Sequence, residues 1–93
     1  MHWSLVAEKN ECAGSELTIG EASFKECALG CNGLASMFLF GTNDFGEVRC
    51  DGEKCQCYCE TAASDDGSCS TVENKGYKLY KYEKSLGRQC SIC

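Results

Sequence analysis

Residues 54–60 have the sequence KCQCYCE. Its cysteines alternate with other residues, which is the period-of-two pattern of a β-strand that has two different faces. On such a strand Cys55, Cys57 and Cys59 share one face, and the residues between them share the other. Neighbouring cysteines on one strand face diverge and have poor geometry for bonding each other. The stretch therefore predicts a strand whose cysteines bond to another element.

A segment with a matching face lies upstream of this strand. Ser23 followed three residues later by Glu26 fits a capping box, which satisfies backbone donors at the start of a helix. We expect a short helix over Phe24–Cys31, on which Cys27 and Cys31 lie on the same face because they are four residues apart. A helix of two turns is not stable alone in water. Disulfides from this face would fasten the helix to a neighbouring element.

Further segments complete the predicted sheet. Residues 36–40 are rich in aromatic side chains between glycines, which indicates a buried strand. Residues 47–50 and 54–60 flank an Asp-Gly turn signal, so they are expected to form a hairpin. After a polar loop at residues 61–70, residues 77–82 are predicted to be the last strand, with tyrosines suited to half-exposed positions.

The cysteine content indicates the compartment. The chain has 93 residues, of which ten are cysteine, and an even number in so short a chain fits disulfides made in an oxidising environment. We expect one secreted or extracellular domain over residues 1–93, with a thin core and no room for a two-domain enzyme. The first residues lack a signal-peptide pattern, so any export signal is expected to have been removed. No apolar run approaches the roughly 20 residues of a membrane helix.

The charge is divided unevenly along the chain. The net charge of −5 argues against nucleic acid as a partner. Residues 1–74 hold four basic and thirteen acidic side chains, whereas residues 75–93 hold five basic side chains and one acidic side chain. The basic side chains are Lys75, Lys78, Lys81, Lys84 and Arg88. Two interpretations stay open: a solvated edge strand protected by lysines, or a docking surface for an acidic partner or anionic glycan.

The order of these segments resembles the PAN/apple module superfamily. The features shared are a Cys-x3-Cys helix, an aromatic strand, a cysteine-bearing hairpin and a closing GYKLYKY strand at residues 76–82. The likeness covers about residues 12–83 and leaves a cysteine-containing tail at residues 84–93. It implies an α+β fold, a small disulfide-rich domain in which one short helix packs on a curved antiparallel sheet. It also implies an extracellular module that binds proteins or carbohydrates without catalysis.

The cysteine positions support one hypothesis about pairing. Cys27 and Cys31 are expected to pair with two of the four hairpin cysteines, because only pairing between elements uses both same-face patterns. For the Cys-x2-Cys pair at residues 90–93, three alternatives stay open: a local bridge, a clasp to the body, or links between chains. The predicted disulfide cysteines are Cys12, Cys27, Cys31, Cys50, Cys55, Cys57, Cys59, Cys69, Cys90 and Cys93.

Catalytic and metal chemistry are not favoured by the sequence. Structural zinc sites usually need paired Cys-x2-Cys units or histidines, and this chain has one such pair and the single histidine His2. The pair at Cys90 and Cys93 opens no helix that would lower a thiol pKa for redox catalysis. Residues 43–47 lack the spaced oxygen ligands of a calcium loop. We therefore expect no enzymatic activity, no cofactor and no dedicated metal site, and weak binding of calcium at the surface stays open.

The predicted function is recognition of an extracellular protein or glycan, without insertion into a membrane. The alternative is a small secreted effector, such as a diffusible signal, pheromone or toxin, that acts on a cell-surface receptor. Aromatic side chains often anchor such contacts, and lysines would attract an acidic partner. The residues predicted to contact a partner are Phe45, Tyr58, Lys78, Tyr80, Lys81 and Tyr82.

Overall fold

The structure is a computed structural model that describes residues 2–83. The elements are β1 (His2–Cys12), β2 (Leu17–Ala22), α1 (Phe24–Cys31), β3 (Met37–Gly41), β4 (Cys50–Asp51), β5 (Lys54–Cys59) and β6 (Thr71–Glu83). The strands pair in the order β1-β6-β3-β5-β2, with β4 also paired to β5, and every pairing is antiparallel. The predicted α+β class, one short helix with an antiparallel sheet, is confirmed for these residues. The predictions for Lys84, Arg88, Cys90 and Cys93 in the tail concern residues outside this described range.

Helix α1 begins and ends where the sequence predicts. The Ser23 hydroxyl accepts a hydrogen bond from the Glu26 backbone N–H at 3.1 Å. In return the Glu26 carboxylate accepts one from the Ser23 N–H at 2.9 Å. This capping box satisfies two donors that the first turn of a helix would otherwise leave unpaired. None of the described residues forms a helix long and apolar enough to cross a membrane.

Two disulfides fasten α1 to β5, the strand that contains the alternating cysteines. Cys27 bonds Cys57, and Cys31 bonds Cys59. The hypothesis that the helix cysteines pair with two of the hairpin cysteines is confirmed. Because α1 has only eight residues, its stability depends on these links and on packing.

Two more disulfides join other parts of the chain. Cys50 bonds Cys55 across the β4–β5 hairpin. Cys12, at the end of β1, bonds Cys69, just before β6. Four disulfides in a small domain indicate that the protein folds and acts in an oxidising environment.

The sheet has a core on each face. The helix face is the one that packs on α1, and its fully buried centre is Phe38 with the helix disulfides. The second face is centred on Met37, Leu39 and Leu79, all fully or almost fully buried. Phe38 and Leu39 are adjacent in β3, so their side chains point to opposite faces. A strand buried on both faces explains why residues 37–41 are almost continuously apolar.

Two strands were not predicted from the sequence. β1 pairs along β6, and β2 pairs with β5 at the other edge of the sheet. The predicted last strand at residues 77–82 is also longer, since β6 begins at Thr71. β1 and β2 are edge strands with mostly exposed or half-buried side chains. Their sequences therefore lack the regular alternation that would mark them.

Candidate ligand-binding cleft

A cleft of about 370 Å³ opens on the helix face where β3 ends beside β6 and the β4–β5 hairpin. Such a concave site, with apolar walls and a few polar groups, is the usual form of a small-ligand site. Aromatic rings from three elements line it, together with polar side chains from the loop after β3, Lys78 of β6 and residues of the β4–β5 hairpin. The lining residues are Phe24, Phe40, Gly41, Thr42, Asn43, Asp44, Cys50, Gly52, Cys55, Lys78 and Tyr80.

The apolar wall of the cleft is an aromatic cluster held in fixed geometry. Phe24, the first residue of α1, packs edge-to-face on Phe40 and Tyr80, with ring centroids 5.3 Å and 4.9 Å away. Tyr80 in turn stacks on the buried ring of Phe38 at 5.2 Å. Each aromatic pair adds roughly 0.5–1.5 kcal/mol beyond the burial of its area. The wall is therefore preorganised rather than formed on binding.

The polar side of the cleft carries an ion pair. The Lys78 ammonium donates to the Asp44 carboxylate at 3.1 Å and lies 4.0 Å from the Glu8 carboxylate. The hydrogen bond from Lys78 lowers the pKa of Asp44 below its usual value, and the hydrogen bond to Asp44 raises the pKa of Lys78. Both groups stay charged at neutral pH and present one donor and one acceptor to the cleft.

The loop that carries Asp44 is tied down by Asn43. The Asn43 carboxamide oxygen accepts hydrogen bonds from the backbone N–H groups of Arg49 and Cys50, at 2.7 Å and 2.9 Å. Its amide nitrogen donates to the Cys50 carbonyl at 3.2 Å. The disulfide from Cys50 to Cys55 fixes the other end of this loop to β5. These contacts hold the rim of the cleft in place.

Phe45, predicted to contact a partner, lies at the outer rim of this cleft. Its ring is half-buried, with the Lys9 ammonium 4.8 Å and the Lys78 ammonium 5.8 Å from its centroid. Lys9 has a left-handed backbone conformation, with φ of 64°, which is uncommon for a residue other than glycine. The rim is thus a Phe45 ring between two lysines, beside the Lys78–Asp44 pair.

The six residues predicted to contact a partner do not form one surface. Lys78, Tyr80 and Phe45 meet at the cleft. Tyr58 and Lys81 lie on the second face, where the Tyr58 ring packs on Tyr77 at 5.8 Å. Lys81 packs there against residue 67 in the loop that covers this face.

Tyr82, the sixth of these residues, lies on the helix face away from the cleft. Its hydroxyl donates a hydrogen bond to the Ala28 carbonyl of α1. Burial raises the pKa of Tyr82 to about 12. Tyr82 therefore connects β6 to the helix.

The predicted set omitted several cleft residues, notably Phe24, Phe40 and Asp44. Phe40 lies opposite Lys78 in the register of β3 with β6. This register joins residues almost forty positions apart, and nothing local in the sequence specifies it. The alternation within residues 77–82 could have placed Lys78 and Tyr80 together and Lys81 on the other face.

The sulfur atoms near α1 do not form a metal centre. Those of Cys27, Cys31 and Cys57 lie within 4.8 Å of one another. Each sulfur is in a disulfide, and a metal ion requires thiolates as ligands. The role of these cysteines is therefore structural.

No protein-family model, curated protein or solved structure gives a significant match to this chain. The resemblance to the PAN/apple superfamily therefore stays a prediction that depends on the order and spacing of the segments, and function has to be argued from the cleft itself.

Proposed function

We propose that the protein is a secreted, non-catalytic recognition module of PAN/apple type that binds a carbohydrate in the cleft of the helix face. The observation that carries the proposal is the pairing of a preorganised aromatic wall with the Lys78–Asp44 ion pair in one cleft. A sugar ring has an apolar C–H face and an edge of hydroxyl groups. The apolar face can pack on the rings of Phe24, Phe40 and Tyr80, and the hydroxyl groups can form hydrogen bonds with the ion pair.

The electrostatics of the cleft favour a neutral or weakly charged ligand over a polyanion. Lys78 is the cation among the lining residues, with Asp44 and Glu8 beside it, and Lys9 adds one further cation at the rim. The described strand thus offers no uncompensated row of lysines here, although a basic patch was one interpretation of the sequence. A charged pair can donate to one hydroxyl and accept from another, as the hydroxyl-rich edge of a sugar requires.

The protonation states in the cleft support binding rather than proton transfer. A general acid or base works best with a pKa near the working pH. Here the pKa of Asp44 is lowered and the pKa of Lys78 is raised by their mutual hydrogen bond. Each change moves the group further from neutral pH and keeps the pair charged.

A glycan array probed with the oxidised protein tests the proposal, and calorimetry then measures the dissociation constant for the ligands found. Lys78→Gln and Asp44→Ala are each expected to weaken binding roughly tenfold or more, because each removes a charge-assisted hydrogen bond. Lys75→Gln is the matched control: it is on the same strand, is exposed and makes no ion pair within residues 2–83. Its binding should equal that of the wild type.

Three results would overturn the proposal. One is the absence of any glycan ligand, together with capture of a protein partner that Lys78→Gln still binds. Another is retention of glycan binding by both cleft variants. The third is loss of binding in Lys81→Gln but not in Lys78→Gln, which would place the site on the second face.

A further inference from the structure

Three segments of chain converge beyond the end of β5 that is opposite to the cleft. They are Glu60, the connection between β1 and β2, and the start of the loop at residues 61–70. The Ala62 N–H donates to the Ser15 carbonyl at 3.2 Å, and the Ser15 and Thr61 hydroxyls are 3.3 Å apart. The disulfide of Cys12 with Cys69 closes this region.

Three carboxylates meet in this region. One oxygen atom from each of Glu11, Glu16 and Glu60 lies within 4.8 Å of the others. Glu11 is half-buried in β1, and Glu16 is exposed just before β2. Glu60 has no exposed surface (0%). The cluster thus reaches from solvent to a fully buried carboxylate.

Glu60 has one oxygen paired and one oxygen without a partner. Its Oε2 accepts a hydrogen bond from the Cys12 N–H at 2.8 Å. Its Oε1 is buried and has no hydrogen-bond partner among the described residues. An unpaired polar atom in the interior costs roughly 1–3 kcal/mol, and more when the group is charged. Native proteins therefore seldom leave such an atom without a ligand, an ion or a water.

No cation of the described chain compensates these carboxylates. The ion pairs within residues 2–83 involve other acidic residues, and none includes Glu11, Glu16 or Glu60. Within residues 2–83, the side-chain donor that reaches the cluster is the neutral Asn74 carboxamide, which donates to Glu11 at 3.0 Å. Burial raises the pKa of Glu60 to about 8, and the neighbouring carboxylates of Glu16 and Glu11 raise it further, although the hydrogen bond from the Cys12 N–H opposes this.

We propose that Glu11, Glu16 and Glu60 form a binding site for a divalent cation, and that the cation is Ca²⁺. The ligand atoms are all carboxylate oxygens, the hard donors that suit Ca²⁺ and Mg²⁺ rather than Zn²⁺ or copper. Ca²⁺ accepts irregular sets of six to eight oxygens, whereas Mg²⁺ needs near-ideal octahedral geometry. Three carboxylates from separate segments, completed by water, fit the former. The unpaired Glu60 oxygen becomes a ligand atom in this arrangement.

This site differs from the sequence expectation that the chain has no dedicated metal site. That expectation considered residues 43–47, where a calcium loop would place its ligands close together in the chain. The proposed ligands are instead distributed over residues 11–60, and only the fold brings them together.

Calorimetric titration of the oxidised protein with CaCl₂ tests the proposal. The wild type is expected to bind one Ca²⁺ with a dissociation constant of about 0.1–1 mM, the range of extracellular calcium modules. Glu60→Gln and Glu16→Gln are each expected to weaken binding roughly tenfold or more, because each removes a charged ligand. Glu53→Gln is the control, since it makes the same change of net charge at an exposed turn position.

A second measurement guards against a folding defect in Glu60→Gln. Ca²⁺ should raise the thermal unfolding midpoint of the wild type and of Glu53→Gln, since a ligand that binds only the folded state stabilises it. It should raise that of Glu16→Gln less at the same Ca²⁺ concentration, because the weaker affinity gives less stabilisation, and the exposed position of this side chain makes a folding defect an unsuitable explanation. No heat and no shift in the wild type up to about 10 mM Ca²⁺ would overturn the proposal. Equal binding by Glu16→Gln, Glu60→Gln and the control would overturn it as well.

Discussion

The two faces of the sheet are covered in different ways. On the helix face, α1 is joined to β5 by two disulfides whose cysteines are 30 and 28 residues apart. On the second face, the cover is the loop at residues 61–70 with the end of β1. These segments are joined by the disulfide of Cys12 with Cys69, whose cysteines are 57 residues apart.

The helix face is therefore held by local sequence patterns, whereas the second face is held by closure of a long chain segment. The helix face depends on a capping box and on cysteines at helical and strand spacing. The second face depends on contacts between residues far apart in the chain. The buried Glu60 lies at the edge of this face, just after β5.

The largest effect is expected from opening the second face. The double variant Cys12→Ala/Cys69→Ala should lose about 4 kcal/mol of unfolding free energy, because a disulfide that closes so long a loop strongly restricts the unfolded chain. Urea unfolding under non-reducing conditions, followed by circular dichroism, measures the loss.

The control for this variant is Cys50→Ala/Cys55→Ala, whose cysteines are 5 residues apart. The same loop-closure argument gives a loss of about 2 kcal/mol. If both double variants lost the same stability, closure of the long segment would not be what holds the second face.

The next largest effect is expected from truncating each core at one of two adjacent residues of β3. Phe38→Ala on the helix face and Leu39→Ala on the second face should each cost about 3 kcal/mol, because both side chains are fully buried. Only Phe38→Ala should reduce the near-ultraviolet circular dichroism of the aromatic cluster, since Phe38 packs on Tyr80 and Phe24.

The conservative change Leu39→Met is the control here and should cost less than about 1.5 kcal/mol. The two cores would not be separate if Leu39→Ala altered the aromatic signal as much as Phe38→Ala does.

A smaller effect is expected at the start of α1. Ser23→Ala should lower the unfolding free energy by about 1 kcal/mol, because it removes the hydroxyl that caps the helix. Chemical denaturation of the oxidised protein measures it. Ser64→Ala, an exposed serine in the loop of the second face, should change stability by no more than about 0.5 kcal/mol. A result in which both serine variants lose equal stability would argue against the capping role.

The smallest effect on stability at neutral pH comes from the ionisation of two buried tyrosines, one on each face. Burial raises the pKa of Tyr82 on the helix face and that of Tyr77 on the second face to about 12 each. The unfolded value is about 10, so the folded protein binds more protons than the unfolded chain between pH 10 and pH 12. Stability is therefore unaffected below pH 10 and falls as the pH rises through this window.

Ultraviolet titration of tyrosinate in the folded protein measures these two groups. Burial also raises the pKa of Tyr80, so Tyr82→Phe should remove one late-titrating group and leave those of Tyr77 and Tyr80. Observation that all four tyrosines ionise together near pH 10 in the folded state would show that neither face shields its hydroxyl.

The sequence specifies the helix face better than the second face, for a physical reason. Capping at Ser23 and the spacing of Cys27, Cys31, Cys57 and Cys59 are local patterns, and they predict the helix and its two disulfides. The edge strand β1 has no such pattern, because its partner is β6 and much of its surface is exposed. Its position follows from pairing with residues some seventy positions away.

The same division applies to the candidate sites. The sequence predicts Lys78 and Tyr80 as contact residues but also includes Lys81, which strand alternation places on the other face. The partners of Lys78 in the cleft, Asp44 and Phe40, come from register and from a loop. The carboxylate cluster around Glu60 was missed entirely, since its members have no common spacing in the chain.

The Cys12–Cys69 disulfide has a consequence for proteolysis. It encloses every peptide bond between those two residues in one covalent ring. A single cut anywhere inside this ring leaves the two fragments joined, and a cut between α1 and β5 also leaves them joined by the helix disulfides. A protease that nicks a loop of the helix face therefore releases no fragment of the ring, and the cleft stays attached to its supporting strands.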